Sequence, residues 1–299
     1  MEVLNGRDRP LRPITRGMET GATPLPFTKM HGLGNDFAVV DVRIAAPELS
    51  AALVAQLADR HTGIGFDQLV LLERPRSPDA QVFVRFVNAD GSEAGACGNG
   101  SRCAAAYVLD RSGGDGMVLE TASGLLPATR FADGLVTVDM GPARLRWDEI
   151  PLAQEADTLC VKLGVELLDE ATCTSMGNPH ATFFTENADE VDLQRLGPLI
   201  EHHKMFPERV NVGVAHLIGP DRLRLRVWER GSGLTLACGS GACAALVAAA
   251  RRGITGRRAE LVMERGSLVV EWREDGHVLL TGPVATSFTG VIDLDRLGF

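Results

Sequence analysis

Short apolar or alternating runs recur along most of the chain: "DFAVVDV", "DQLVLLE", "VFVRFV", "LVTVDM", "ATFFT", "NVGVAHLI", "LRLRVW", "AELVMER", "SLVVEW" and "HVLLTG". They are rich in Val, Ile, Leu and Phe and too short for amphipathic helices, so they predict strands. Asp133-Gly134 and Asp275-Gly276 sit between pairs of such runs and predict hairpin turns. Helical patterns are fewer. Two alanine-rich ones, over 104–111 and 242–252, each follow a glycine-rich turn, and others fall near 47–60 and 192–203. Strands outnumber helices and hairpins are frequent, which predicts an α/β protein of the α+β kind with mixed or antiparallel sheets.

The pattern occurs twice. "GACGNGSRCAAAYVLDR", from Gly95, is echoed by "LACGSGACAALVAAARR", from Leu236, with Cys97 and Cys238 separated by 238 − 97 = 141 positions. Upstream, "RFVNADGSEAGACGNG" lies over "RVWERGSGLTLACGSG", pairing Asn88 with Glu229. Asn35 and Asn178 both stand in Gly-Asn before a strand, and Gln68 and Asn211 both stand at the mouth of an apolar run; each pair is 143 apart. Ordered landmarks at a nearly constant offset imply an internal duplication giving two pseudo-symmetric domains with the active site in the cleft between them. The expected boundaries are 27–143, completed by about 285–299, and 144–284, with a linker near 142–151. Residues 1–26, polar and rich in Pro, Gly and Arg, are expected to be a disordered extension.

Composition narrows the partners. The chain has 299 residues, 45% hydrophobic and 23% charged, enough for one large or two smaller domains. A net charge of −9 argues against a nucleic-acid or anionic-membrane partner, either of which favours a basic face. No apolar run reaches the roughly 18 residues of a membrane span, and the first residues lack the apolar core of a secretory signal. With no sign of secretion, the six cysteines are expected to be reduced thiols in the cytoplasm.

In "CGNG" and "CGSG" a cysteine precedes Gly-x-Gly and a helix. Unpaired N–H groups and the helix dipole favour negative charge there. Each thiol is therefore expected to have a pKa below the free value of about 8.5, and the flanking amides to cradle a carboxylate. Two such thiols on opposite faces of one carbon suit inversion of a stereocentre, one removing a proton and the other supplying one. The helix ends would stabilise the developing oxyanion. None of the three lysines, Lys29, Lys162 and Lys204, recommends itself for a Schiff base, so no cofactor is expected. No metal is expected either: the cysteine spacings, C-x5-C and C-x4-C, lack a closing His pair, and His202-His203 lies on a predicted surface helix. Cys103, Cys160, Cys173 and Cys243 are read as inert core. A Cys97–Cys238 disulfide would be an inactive trap.

The ordered set "FTKMHGLGNDF", "GFDQ", "NADGSE", "CGNGSRC", "GNPH", "RVNVG", "ERGSG", "ACGSGACAA" and "TGPVATSF" resembles the diaminopimelate epimerase family over residues 27–299. The resemblance implies two α/β domains closing over a diamino-dicarboxylate. It also implies pyridoxal-phosphate-independent conversion of LL- to meso-2,6-diaminopimelate in lysine and peptidoglycan precursor synthesis, and a homodimer. It casts Cys97 and Cys238 as the acid/base thiols, with Gly98, Asn99, Gly239 and Ser240 holding the reacting carboxylate. Asn35, Gln68, Asn88, Asn178, Asn211, Glu229 and Arg230 become the substrate shell, and His180 and Glu229 tune the thiols. Leu234, Gly95, Ala96 and Phe288 depart from the commoner family pattern, the last at the dimer contact. A proline racemase-type enzyme shares the two-thiol logic but lacks a distal amino-acid end to recognise. A non-catalytic binding or redox module is the alternative of another class.

Overall fold

The computed structural model describes residues 24–95 and 97–297. The first half contains β1 (Pro24–Gly32), β2 (Asn35–Asp41), α1 (Ala51–Ala58), β3 (Gln68–Glu73), β4 (Val82–Asn88), β5 (Glu93–Ala94), α2 (Gly98–Ser112), β6 (Gly116–Thr121), β7 (Gly124–Arg130) and β8 (Val136–Pro142). The second contains β9 (Val161–Lys162), β10 (Glu170–Ser175), β11 (Pro179–Phe184), α3 (Leu193–Glu201), β12 (Asn211–Gly219), β13 (Arg222–Glu229), β14 (Gly233–Thr235), α4 (Gly239–Arg251), β15 (Arg258–Met263), β16 (Gly266–Trp272) and β17 (His277–Gly282). A last strand, β18 (Ala285–Asp293), returns to pair antiparallel with β1.

The duplication reappears in the hydrogen bonding. In the first half β1/β2 is antiparallel, β2/β3 parallel, β3/β4 antiparallel, β4/β6 parallel, and β6/β7 and β7/β8 antiparallel. The series β10/β11, β11/β12, β12/β13, β13/β15, β15/β16, β16/β17 has the same order of senses. The halves join where β8 pairs antiparallel with β17, Val138 opposite Leu280. These two residues are equivalents under the repeat (280 − 138 = 142), so the local pseudo-twofold axis passes between them. Beside it the Thr137 and Thr281 hydroxyls meet at 2.6 Å.

Each half wraps its sheet around its alanine-rich helix. Cys103, Ala104, Ala105, Val108 and Leu109 of α2 pack on Phe37, Val70, Phe86, Leu119 and Val136. Ala242, Ala245, Leu246 and Ala249 of α4 pack on Leu225, Val227, Leu261 and Val270. Small side chains let a helix lie close inside a curved sheet, where bulkier ones would overpack. β3 is buried on both faces because Val70 and Leu72 face the α2 core while Leu69 and Leu71 face the α1 core. α3 covers β11 and β12 in the same way, through Leu193, Leu196 and Ile200.

Several boundaries differ from the sequence expectation. α2 and α4 start at Gly98 and Gly239, well before 104 and 242, because the glycine turns are themselves the first helical turns. Glycine's helix penalty of about 1 kcal/mol hides this from propensity. It is overridden by close packing: a Cβ on Gly100 would stand 2.7 Å from the Phe86 ring. α1 is shorter than 47–60, capped by the Ser50 hydroxyl. Pro24–Pro26, assigned to the disordered extension, open β1, where buried Leu25 pairs with Ile292. Residues 1–23 of that extension lie outside the described residues. Cys160 is half-buried in a turn rather than in the core; Cys103, Cys173 and Cys243 are buried.

Leu280 supports both central helices from below: a Cβ on Gly98 would stand 2.8 Å from its Cδ2, and one on Gly239 3.0 Å. Truncation by Leu280→Ala removes contacts beneath two helix ends at once and is expected to cost about 2–5 kcal/mol. Urea unfolding checks this; a loss below about 1 kcal/mol would mean that the site collapses around the gap.

Candidate active site

Cys97 and Cys238 are the N-cap residues of α2 and α4. Each sulfur accepts a backbone hydrogen bond from the third helical residue, Gly100 N–H at 3.3 Å and Gly241 N–H at 3.4 Å. The two helix ends abut: a Cβ placed on Gly239 would lie 3.4 Å from Gly98 Cα and 3.5 Å from Asn99 Oδ1. A side chain at either glycine would press on Leu280 beneath them. The Gly98, Asn99, Gly239 and Ser240 amides precede the first intrahelical bonds and converge on one region.

That region is a cavity of ≈ 950 Å³. Its walls include both cysteines, all four of those amide residues, Asn35, Gln68, Asn88, Asn178, Asn211, Glu229 and Arg230. The shell residues meet because they sit where strands end on one edge: Asn35, Gln68 and Asn211 open β2, β3 and β12, while Asn88 and Glu229 close β4 and β13. Their side chains hold one another. Gln68 Nε2 donates to Asn88 Oδ1 at 2.8 Å, leaving the buried Gln68 Oε1 without a protein partner. Asn99 Nδ2 donates to Asn35 Oδ1 at 3.2 Å, and Asn178 Nδ2 to Ser240 Oγ at 3.3 Å. Asn211 Oδ1 accepts from the Arg230 amide at 2.9 Å, and Arg230 Nη1 donates to the Glu208 carbonyl at 2.9 Å. Glu229 accepts from the Thr235 hydroxyl at 2.6 Å, and Cys238 Sγ lies 3.6 Å from Ser240 Oγ.

His180 does not line the cavity. It is 1% exposed and stands behind Asn178, its Nε2 3.0 Å from Asn178 Oδ1. Burial, then the Arg230 charge, lowers its pKa to about 3, so it is a neutral strut near neutral pH. Leu234 lines the cavity mouth; Ala96 lies outside the described residues.

The thiols reverse the expected shift. Burial pushes Cys97 up to about 11, against the opposing Gly100 amide and Arg102 charge. Burial and then the Glu229 carboxylate push Cys238 well above its ordinary value. Magnitudes explain the outcome. A helix N-terminus contributes typically 0.3–1 kcal/mol, roughly half a pH unit, whereas desolvation of a fully buried group moves a pKa by up to about 3–5 units.

Three residues at this site were not singled out from the sequence. Arg60 and Asp67 line the cavity, joined at 2.7 Å, with Asp67 also accepting from Asn35 at 2.9 Å. "GFDQ" contained Asp67, but only its Gln68 drew attention. The third is Arg102, buried beneath Cys97. Its signal was a break in the duplication, since the equivalent position 141 residues on is Cys243.

Comparisons with known proteins agree on the kind of fold. The sequence model described as diaminopimelate epimerase matches residues 27–146 and 172–287. A diaminopimelate epimerase of Rhodospirillum centenum is 59% identical over 88% of this chain and 91% of the relative. One of Acidiphilium cryptum is 52% identical over 92% and 99%. Among solved structures, a probable proline racemase from Agrobacterium radiobacter has a TM-score of 0.67 at 18% identity, covering 91% of this chain and 93% of that one. A hydroxyproline epimerase from Agrobacterium vitis has 0.65 at 16%, with the same coverage. At such identities these two share the fold.

The buried neutral His180 makes stability depend on pH. Below its ordinary value of 6.5 the unfolded chain binds a proton that the folded chain refuses until about pH 3. Stability is therefore lost on acidification through that window, by roughly 3–5 kcal/mol at about 1.4 kcal/mol per pH unit. Urea midpoints of the unsubstituted protein should fall more steeply between neutral and acidic pH than those of His180→Gln; parallel falls would contradict this.

Proposed function

This chain belongs to the diaminopimelate epimerase family, and we propose on that footing that it interconverts LL- and meso-2,6-diaminopimelate with Cys97 and Cys238 as its proton-carrying pair. The observation that carries the reading is the abutment of two cysteine-capped helix ends in one polar cavity. A carboxylate lying across the Gly98, Asn99, Gly239 and Ser240 amides would place its α-carbon between the sulfurs. One sulfur, as thiolate, takes the α-proton. Negative charge then spreads onto the carboxylate, where the amides and helix dipoles receive it. The other sulfur, as thiol, delivers a proton from the opposite face. Reversal exchanges the roles.

The walls also suit a doubly zwitterionic substrate. Arg230 and Arg60 offer positive charge, Glu229 and Asp67 negative charge, and Asn35, Gln68, Asn88, Asn178 and Asn211 neutral donors and acceptors for the distal amino-acid end. The Glu229 carboxylate bears on the Cys238 thiol through its charge; His180 acts one step back, by fixing Asn178. A proline-sized substrate would leave the distal groups unused.

The same reading includes domains at 27–143 with 285–299 and at 144–284, supported by the repeated pairing order. It also includes a homodimer. The outer face of β18 supports this, with Phe288 half exposed and stacked edge-on against Phe27. No described helix is long and apolar enough to cross a membrane, and the reduced-thiol chemistry fits a cytoplasmic location.

Under reducing conditions the protein should form meso-diaminopimelate from the LL isomer and leave proline unchanged; racemisation of proline instead would sink the proposal. Cys97→Ala and Cys238→Ala should each abolish epimerisation, since neither sulfur can serve both faces. Full turnover by either variant would refute the pairing.

A further inference from the structure

Arg102 carries a charge that the mechanism above leaves unused. It is 0% exposed, and no carboxylate among the described residues lies within ion-pair distance of it. A buried guanidinium without an anion is costly, and arginine does not escape by losing its proton. Its hydrogen bonds are few: Nη2 donates to Asn99 Oδ1 at 2.8 Å, Nη1 reaches the Gly98 carbonyl at 3.5 Å, and Nε has no protein partner. Two glycines make room for it. A Cβ on Gly32 would stand 3.1 Å from its Nη2, and one on Gly282 3.4 Å from Cζ and Nε. β1 and β17 thus bring backbone, not charge, against it. Among the described residues, the titratable groups that act on it are sulfurs: Cys97 and Cys103 from its own helix and Cys243 from α4.

The duplication is broken here. With the offset that superposes Cys97 on Cys238, Arg102 falls on Cys243 (243 − 102 = 141), so the first half supplies a cation where the second supplies a thiol. Glu229 breaks the symmetry the other way, since it sets a carboxylate where the first half has the neutral Asn88. The Arg102 charge therefore bears on Cys97, while the Glu229 charge bears on both sulfurs. Arg102 also braces the site: it fixes Asn99, whose Nδ2 spans to Asn35 and, at 3.4 Å, to the Ala237 carbonyl just before Cys238.

We infer that Arg102 is a positioning residue for this reaction, the buried counter-charge that makes Cys97 the sulfur of the pair that ionises first. The charged groups bearing on Cys97 are Glu229 of β13, which opposes the thiolate and weighs more, and Arg102, which favours it. Removing the guanidinium leaves the opposition alone.

The inference rests on the epimerase reading, and the test separates the two. kcat/KM with LL-diaminopimelate is measured against pH for the unsubstituted protein, Arg102→Met and Arg102→Gln, with circular dichroism confirming the fold of each. Gln keeps a donor for Asn99 without the charge, so it serves if Met does not fold. Both variants should move the acidic limb up by about one pH unit, losing about tenfold at neutral pH and recovering it at higher pH. A folded, active Arg102→Gln with an unmoved limb overturns the inference, because a brace alone would change rate and not midpoint. Failure of the unsubstituted protein to epimerise would instead overturn the function reading.

Discussion

The site depends on one close approach: the N-termini of α2 and α4 meet backbone to backbone at Gly98 and Gly239. Two positive dipole ends brought together repel, and the buried Arg102 adds a third positive centre beneath them. An anion between the helix ends relieves that convergence. The fold therefore stores electrostatic demand for a carboxylate and aims it where charge would develop during proton abstraction. The strands hold the helices to this arrangement through the β8/β17 junction and through Leu280, which touches both helix ends.

Partial burial gives that demand its strength and also works against the thiols. Burial disfavours a lone thiolate more than a helix end favours it, so Cys97 and Cys238 rest as thiols until charge nearby compensates. Such a cavity suits a base that is strong once formed. The high pKa of a sulfur in this setting narrows its gap from the weakly acidic α-carbon, which a low-pKa thiolate would widen. Arg102 and Glu229 make the two sulfurs unequal, while the helix ends and strand edges around them remain near-symmetric.

Much of this was legible in the sequence, for physical reasons that differ between elements. Strands such as β6, β13, β15 and β17 alternate between buried and half-exposed positions, and that period is visible without a structure. The hairpin turns announce themselves because Gly134 and Gly276 adopt positive φ. Asn35, Gln68, Asn88, Asn178, Asn211 and Glu229 drew attention because each stands at or beside a strand end in a repeated context, whereas their part as a substrate shell, with Arg230, is what the family resemblance implies. β10, "EATCTS", escaped because its buried positions are filled by Thr, Ser and Cys. The first turns of α2 and α4 escaped because glycine conceals a helix that packing imposes. The direction of the thiol shifts was misread because the helix dipole is a local property of the chain, whereas desolvation depends on every strand that closes the cavity. The resemblance cast His180 as a tuner of the thiols; β11, buried at every position from Pro179 to Phe183, holds it behind Asn178.

The central claim is that two sulfurs address one carbon from opposite faces. It is tested most directly by running the LL isomer in deuterated water and locating deuterium at early conversion. Distinct donors and acceptors predict deuterium at the α-carbon of the inverted product while unconverted substrate remains protiated. Equal early labelling of substrate and product would mean that a single group both removes and returns the proton, and would contradict the account.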